Sequence, residues 1–298
     1  MGGYVTGPAS PTLPSLADQV EPRCWIIIPV HNRKATTKAC LDCLRLQGVF
    51  ACATVCVVDD ACTDGTRTML ESEFPEVHCV NGNGHLYWGG GILEGMKVAH
   101  AGDADVMVWL NDDCLPAEGA IDLLIGRVLE SKGICGGVCR DPENSSVVTY
   151  SGTKEGHEDM VSPGPGEFVQ VDLINGNLVA VHREVVDRIG FPPGLELPHY
   201  GGDSIYGLRA RRAGIPCEVC GDAIATNPPN PYFDRFGKTK PAWELLKEPL
   251  RIGSILYWPA YWRFLREAFG WQAYFRWPAY FIRLVRHFAA ALARHFSS

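Results

Sequence analysis

From Trp25 onward the chain alternates short apolar runs with stretches of helical periodicity. Residues 25–30 (WIIIPV) form a continuous apolar run, the pattern of a strand covered on both faces. After a loop at 31–34, apolar side chains recur at helical spacing to about Leu46, with Cys40, Cys43 and Leu44 on one face. Residues 54–58 repeat the strand pattern, Cys52, Cys56 and Val58 sharing a face, and polar residues 59–65 lead into a helix ending near Phe74. A short strand at 78–80, a glycine-rich loop at 82–91, a helix at 92–101 and a strand at 106–110 follow. Further on, 168–173 reads as a strand and Asp203 opens a helix. Strand and helix in alternation predict a three-layer α/β/α sandwich with a mostly parallel sheet. In such a sheet, ligands bind at the carboxyl ends of the strands.

Composition changes this picture mainly at the two ends. A chain of 298 residues, 46% hydrophobic and 20% charged, fills one large domain plus an appendage. A net charge of −7 argues against nucleic acid as a partner, because tracking phosphates needs a basic surface. The charge is uneven, however. Residues 241–298 hold eight Lys/Arg against three Glu, so this tail is +5 and the remainder −12. Residues 1–23 are rich in Gly, Pro and Ser, without the basic and apolar regions of a secretory signal, and are expected to be a flexible lead-in. The division expected is therefore lead-in 1–23, catalytic domain 24–240 and tail 241–298, with the protein in the cytoplasm and its twelve cysteines reduced. The pairs Cys40/Cys43 and Cys217/Cys220 have the spacing of zinc ligands. Their apolar flanks favour packing as small hydrophobes in the core.

Chemistry-bearing residues follow the strands. Pro29, His31, Asn32 and Arg33 come after the first, Asp59 and Asp60 after the second, and Asn111, Asp112 and Asp113 after the strand at 106–110. Paired carboxylates at a strand end suit a hard cation, Mg²⁺ or Mn²⁺, which would hold a diphosphate. Asn-Asp-Asp is also turn chemistry, and the residues alone leave both readings open. No Gly-x-Gly-x-x-Gly follows the first strand and no Walker lysine is present, so dinucleotide and P-loop cradles are both missing. In the loop at 82–91, glycines such as Gly84 permit close approach of backbone to ligand. Tyr87 and Trp88 either stack on a sugar or cover the edge of the core. Asp203, at the start of its helix, is either a general base or an N-cap.

Taken in order, IIIPVHNR (26–33), VVDDACTDGT (57–66), GNGHLYWGGG (82–91), LNDD (110–113) and GGDSIYGLRARRAG (201–214) resemble the family 2 glycosyltransferases of GT-A fold. The likeness is to rhamnosyltransferase-like enzymes of bacterial cell-surface polysaccharides, and it covers about residues 24–230. It implies a nucleoside-diphosphate sugar as donor, bound by Pro29, His31, Asn32, Arg33, Asp60, Gly84, Trp88 and Asp112, with Asp113 as metal ligand. It also implies an acceptor side formed by Asn175, Gly176, Asn177, His199 and Tyr200, and transfer with inversion using Asp203 as the base. The chain departs from the family's pattern at Asn111, where an acidic residue is usual, and at Gly202, which leaves Asp203 as the single carboxylate. It departs again at Asn227, where a metal-binding His is frequent. A nucleotidyltransferase of similar fold would show a glycine-bearing signature loop after the first strand, which 29–34 lacks. A non-catalytic nucleotide-sugar-binding protein would be expected to lose Asp203.

The tail carries the second signal. It holds five of eight tryptophans and fifteen of thirty aromatics, interleaved with arginines. Its longest uncharged run, 252–262, is eleven residues and contains Pro259, short of the ~20 that span a bilayer. Arg with Trp and Tyr at amphipathic spacing suits a helix in the headgroup layer, and hence a lipid-linked or cell-envelope glycan as acceptor. The alternative is packing on the catalytic domain or on a second subunit of a homo-oligomer. Under the membrane reading, cutting the chain at about residue 242 is expected to leave the catalytic site intact.

Overall fold

The computed structural model describes residues 21–155, 157, 159–230, 244 and 247–297. Most of the lead-in, residues 231–243 and therefore Trp243 lie outside them. The first half runs β1 (Cys24–Val30), α1 (Lys34–Leu46), β2 (Ala53–Asp59), α2 (Thr66–Glu73), β3 (His78–Asn81), α3 (Tyr87–Ala101), β4 (Val106–Leu110), β5 (Leu115–Pro116) and α4 (Ala120–Ser131). Then come β6 (Ile134–Arg140), β7 (Val148–Tyr150), β8 (Gly152–Thr153), β9 (Phe168–Gln170), β10 (Leu173–Ile174), β11 (Leu178–His182), α5 (Arg183–Ile189), α6 (Gly202–Arg212) and β12 (Cys217–Thr226). Two tail helices close the chain, α7 (Trp258–Phe269) and α8 (Ala273–Ser297).

The main sheet has the order β3-β2-β1-β4-β11-β6-β12-β5, parallel from β3 to β4 and again between β6 and β12, with β11 antiparallel to both its neighbours. Strand alternation distributes β1 between two cores. Ile26, Ile28 and Val30 pack with Leu41 and Leu44 of α1 and Met69 of α2, while Ile27 joins Met96 of α3 and Tyr206 of α6 on the other face. This is the α/β/α sandwich expected. Eight of the twelve cysteines are buried, among them Cys40, Cys217 and Cys220, and none is in a disulfide. Cys52 is exposed because β2 begins only at Ala53.

Two elements differ from expectation. Helix α3 starts at Tyr87, inside the expected loop, because the carboxylate of Asp60 accepts from the backbone N–H groups of Leu86 (2.8 Å) and Tyr87 (3.2 Å) and so closes the helix's free N-terminus. The glycines there serve packing rather than mobility: a side chain at Gly91 would strike Pro29, and one at Gly95 would strike Ile27. The strand expected over 168–173 is broken at Val171–Asp172, so that β9 pairs with β12 while β10 pairs with β8 in a separate two-stranded sheet.

The tail has two faces. Helix α7 lies on the outer side of α6, where Phe264, Ala268 and Phe269 join Leu197, Ile205 and Leu208. Phe264 covers Gly201, Arg209 pairs with Glu267, and Arg212 donates to the carbonyl of Glu267 at 2.7 Å near the end of α7. In α8 one face carries Trp277 and Tyr280, which pack with Tyr261 and Leu256, and the Tyr280 hydroxyl donates to the Leu256 carbonyl at 2.7 Å. The opposite side, with Phe275 at 76%, Ile282 at 60% and Val285 at 64%, is exposed. No helix among the described residues is long and apolar enough to cross a membrane.

Candidate active site

The carboxyl ends of β1, β2 and β4 open into a cavity of about 1090 Å³, ample for a nucleotide with a sugar attached. Its wall includes Pro29, His31, Arg33, Asp60, Gly84, Trp88, Asp112, Asp113, Asn175, Asn177, His199, Tyr200 and Asp203. Thirteen of the fifteen site residues expected from the sequence therefore meet around one space. Asn32 and Gly176 do not line it; they hold the residues that do. Asn32 adopts a left-handed backbone (φ 53°) and its side-chain oxygen accepts from the N–H of Thr63 at 2.7 Å, stitching the first strand-end loop to the second. Gly176 donates its N–H to Asp203 at 2.8 Å, and any side chain there would overlap Trp88.

The first loop is a chain of hydrogen bonds that sets a tautomer. The carbonyl of Asp60 lies 2.6 Å from His31 Nδ1, so that nitrogen is the donor and Nε2 accepts from the Asn32 amide at 3.1 Å. Asp60 itself is buried, and its Oδ1 accepts a third backbone N–H, from Gly84 at 2.6 Å. Its first role is therefore to seat the N-terminus of α3 at the rim of the cavity.

At the end of β4, Asp112 is buried against α1. Thr37 donates to its Oδ2 at 3.2 Å, and Arg33, one helical turn earlier, approaches its Oδ1 at 3.3 Å. Burial pushes the Asp112 carboxyl up to about 6, against the pull of Arg33. Asp113 hydrogen-bonds Arg33 at 2.8 Å. The Asn227 amide donates to its backbone carbonyl at 2.9 Å and to its carboxylate at 3.1 Å. Asn227 thus clamps Asp113. Asn111 is engaged elsewhere, its side-chain oxygen accepting from the indole N–H of Trp88 at 2.8 Å, while that ring packs edge-on to Trp109. Trp88 accordingly both covers the core edge and faces the cavity.

Among the described residues no group of three or more His, Cys, Asp or Glu is arranged as a metal cage. Asp112 and Asp113 nonetheless offer adjacent hard oxygens, and Mg²⁺ characteristically takes one or two carboxylates together with substrate phosphates. The balance of charge agrees. Among the described residues four carboxylates, Asp60, Asp112, Asp113 and Asp203, line the cavity against one guanidinium, Arg33, a balance that would favour entry of a diphosphate together with a cation. The residues fit a shared ion.

Asp203 lies in the first turn of α6, after the N-cap Gly201, which has φ 81°. It is not the cap. Its Oδ2 accepts from Gly176 and its Oδ1 from the N–H of Ser204 at 2.8 Å. Burial raises its pKa above the ordinary carboxylate value, and these N–H groups oppose the rise. Arg209, Arg211 and Arg212, downstream on the helix, face away from the cavity and pair with Glu267, with Glu155 and Asp172, and with the carbonyl end of α7. Tyr150, Ser204 and the segment Pro228, Pro229 and Asn230 also line the cavity. The last three follow β12, and the strand-end rule would have found them; Tyr150 ends β7, a three-residue strand too short for the apolar pattern to single out.

Comparisons with known proteins bear on this geometry. The model for glycosyl transferase family 2 matches residues 25–177, just over half of the chain. No curated protein matches the sequence. Similar solved structures include GalNAc-T7 with UDP, GalNAc and Mn²⁺ (13% identity, 71% of this chain and 44% of that one, TM-score 0.54). S. aureus TarS is another (14%, 84% and 44%, TM-score 0.53). A third is the mannosyltransferase PcManGT from Pyrobaculum calidifontis with GDP-Man and Mn²⁺ (18%, 94% and 76%, TM-score 0.55). The chain spans less than half the length of the first two, and at these identities the likeness is one of fold.

Proposed function

The chain belongs to the family 2 glycosyltransferases, and from that premise we propose that it moves a sugar from a nucleoside diphosphate to an acceptor hydroxyl, with inversion, using Asp203 as the base. The observation that carries this reading is the convergence of Asp203 with Asp60, Asp112 and Asp113 on one cavity from three separate strand and helix ends. Gly176 and Ser204 hold the Asp203 carboxylate, and its raised pKa makes it a stronger base than an exposed aspartate. It would take the acceptor's proton as the new bond forms. One displacement with one base inverts the anomeric carbon. Trp88, with its indole pinned by Asn111, would present a flat face to the sugar. Asn175, Asn177, His199 and Tyr200 would border the acceptor; burial keeps His199 below its ordinary pKa and hence neutral.

Asp113 with Asp112 would hold a Mg²⁺ or Mn²⁺ ion, which when bound supplies counter-charge for the departing diphosphate. The Mn²⁺ in the structures of GalNAc-T7 and PcManGT supports such an ion. The exposed stripe of α8, flanked by exposed Arg266, Arg276 and Arg286, supports a peripheral seat on the cytoplasmic face of the membrane and a lipid-linked or cell-envelope glycan as acceptor. Incubating the protein with a panel of nucleotide sugars and assaying nucleoside-diphosphate release, with and without EDTA, tests the donor and metal parts together. Release from none of the panel in the presence of Mn²⁺ would refute the transferase reading.

A further inference from the structure

Among the described residues, Arg33 is the one Lys or Arg in the cavity wall, and it bridges the two carboxylates that would receive the ion. Its surroundings are asymmetric. Asp112 is held by Thr37, and Asp113 by two bonds from Asn227, so the acids are fixed independently of the arginine. The arginine's backbone is fixed as well. Asn32 before it is tied to Cys62 and Thr63, the N–H of Lys34 after it donates to Asp64 at 2.8 Å, and its own carbonyl accepts from Thr37 at 2.9 Å. The guanidinium, by contrast, is 44% exposed, and its partners among the described residues are those two carboxylates. Asp112 is only 5% exposed, so opening this pair leaves a buried charge and is cheap only when another cation takes the arginine's place. Arg33 is an exchangeable charge on a rigid mount.

Two cations cannot share that pair comfortably, because a guanidinium and a divalent ion within a few ångström repel. We propose that Arg33 is a placeholder counter-ion: it neutralises Asp112 and Asp113 while the cavity is empty, and turns to the donor's diphosphate when a divalent cation takes the carboxylates. Several guanidinium N–H groups then face phosphate oxygens, for which the fork geometry of arginine is suited. The inference rests on the donor being a nucleoside diphosphate with its ion, as proposed above, and it makes metal and diphosphate arrive together.

The test reads binding rather than turnover, on the full chain, with Mn²⁺ alone followed by electron paramagnetic resonance and then with inorganic pyrophosphate at saturating Mn²⁺. Removing the competitor in Arg33→Ala should tighten binding of Mn²⁺ alone by about 5-fold or more. The same change should weaken pyrophosphate by about 10-fold, since charge-assisted hydrogen bonds are lost. Arg33→Lys keeps the charge and should leave Mn²⁺ affinity near that of the unaltered protein. Arg33→Gln should repeat the opposite signs of Arg33→Ala, which keeps the result readable if the alanine variant does not fold. Unchanged or weaker Mn²⁺ binding in the neutral variants, or undiminished pyrophosphate binding, would overturn the proposal. Absence of Mn²⁺ binding in every form would overturn it too, along with the metal part of the proposed function. Mn²⁺ competition without nucleotide-sugar turnover would instead support it while sinking the transferase reading.

Discussion

The strand-end loops and the tail helices are both crowded with side chains that admit two readings, and they resolve in opposite ways. In the loops, each carboxylate has partners that specify its orientation: three backbone N–H groups on Asp60, Thr37 and Arg33 on Asp112, Gly176 and Ser204 on Asp203. The structural role and the proposed chemical role there fall on one group. In the tail the two roles separate by face. Trp277 and Tyr280 of α8 are packed, whereas Phe275, Ile282 and Val285 are exposed on the other side. Bonds settle what a polar residue does, and cover settles what an apolar one does.

The sharpest way to break that comparison is at Asp203. Asp203→Asn keeps an oxygen for only one of the Gly176 and Ser204 N–H groups, so it should lower stability by about 1–3 kcal/mol while leaving the fold intact, and it should lower turnover by about 10²-fold or more. The pH profile adds a signature. The base works deprotonated, so the rate should fall as pH falls through its raised pKa, with the acid limb above the ordinary aspartate range. That limb should vanish in Asp203→Asn, and near-normal turnover in the variant would remove the assignment.

Asp113→Ala takes away one of two carboxylates offered to the ion. A loss of roughly 10- to 100-fold in Mn²⁺ affinity is expected, by analogy with disturbed metal shells. Full activity of the unaltered protein in EDTA would contradict it.

The tail can be cut in two places. A cut after Gly270 removes α8 and leaves α7 on α6; a cut after Leu256 removes both and strips cover from Leu197, Ile205 and Leu208. At about 1.5–3 kcal/mol for each large apolar side chain, the longer deletion should cost at least about 3 kcal/mol, and it should disturb Gly201 beside Asp203. A cut at residue 242 is therefore expected to weaken the catalytic site rather than simply release it. Equal melting temperatures for both truncations and the whole chain would refute this coupling.

The smallest effect on stability belongs to the exposed stripe. Phe275→Ser with Ile282→Ser should change folding by no more than about 0.5 kcal/mol each, because these positions are already in water. Flotation with anionic liposomes should nevertheless drop, and flotation of the unaltered protein should weaken with salt as screening shortens to about 3 Å near 1 M. If the unaltered protein does not float, the stripe has some other partner.

Periodicity along the chain determined the sandwich, the order of its βα units and the strand ends at which function collects, because the period of apolar residues is a local property that burial on two faces imposes directly. The cavity residues after β1, β2 and β4 were legible for the same reason, since a residue just after a buried strand has few places to go, whereas Trp88, His199, Tyr200 and Asp203 were suggested by the family resemblance rather than by periodicity. What stayed hidden was everything that depends on a partner distant in sequence. The early start of α3 comes from Asp60 across the sheet edge, the break between β9 and β10 from competition by β12 and β8, and the clamp on Asp113 from Asn227. The pairing of Arg33 with Asp112 and Asp113 likewise joins positions about eighty residues apart. The tail makes the same point on a larger scale. Its amphipathic spacing was plain in the sequence, but only tertiary packing decided which face meets the protein, because a helical repeat records that one side is apolar and not what covers it.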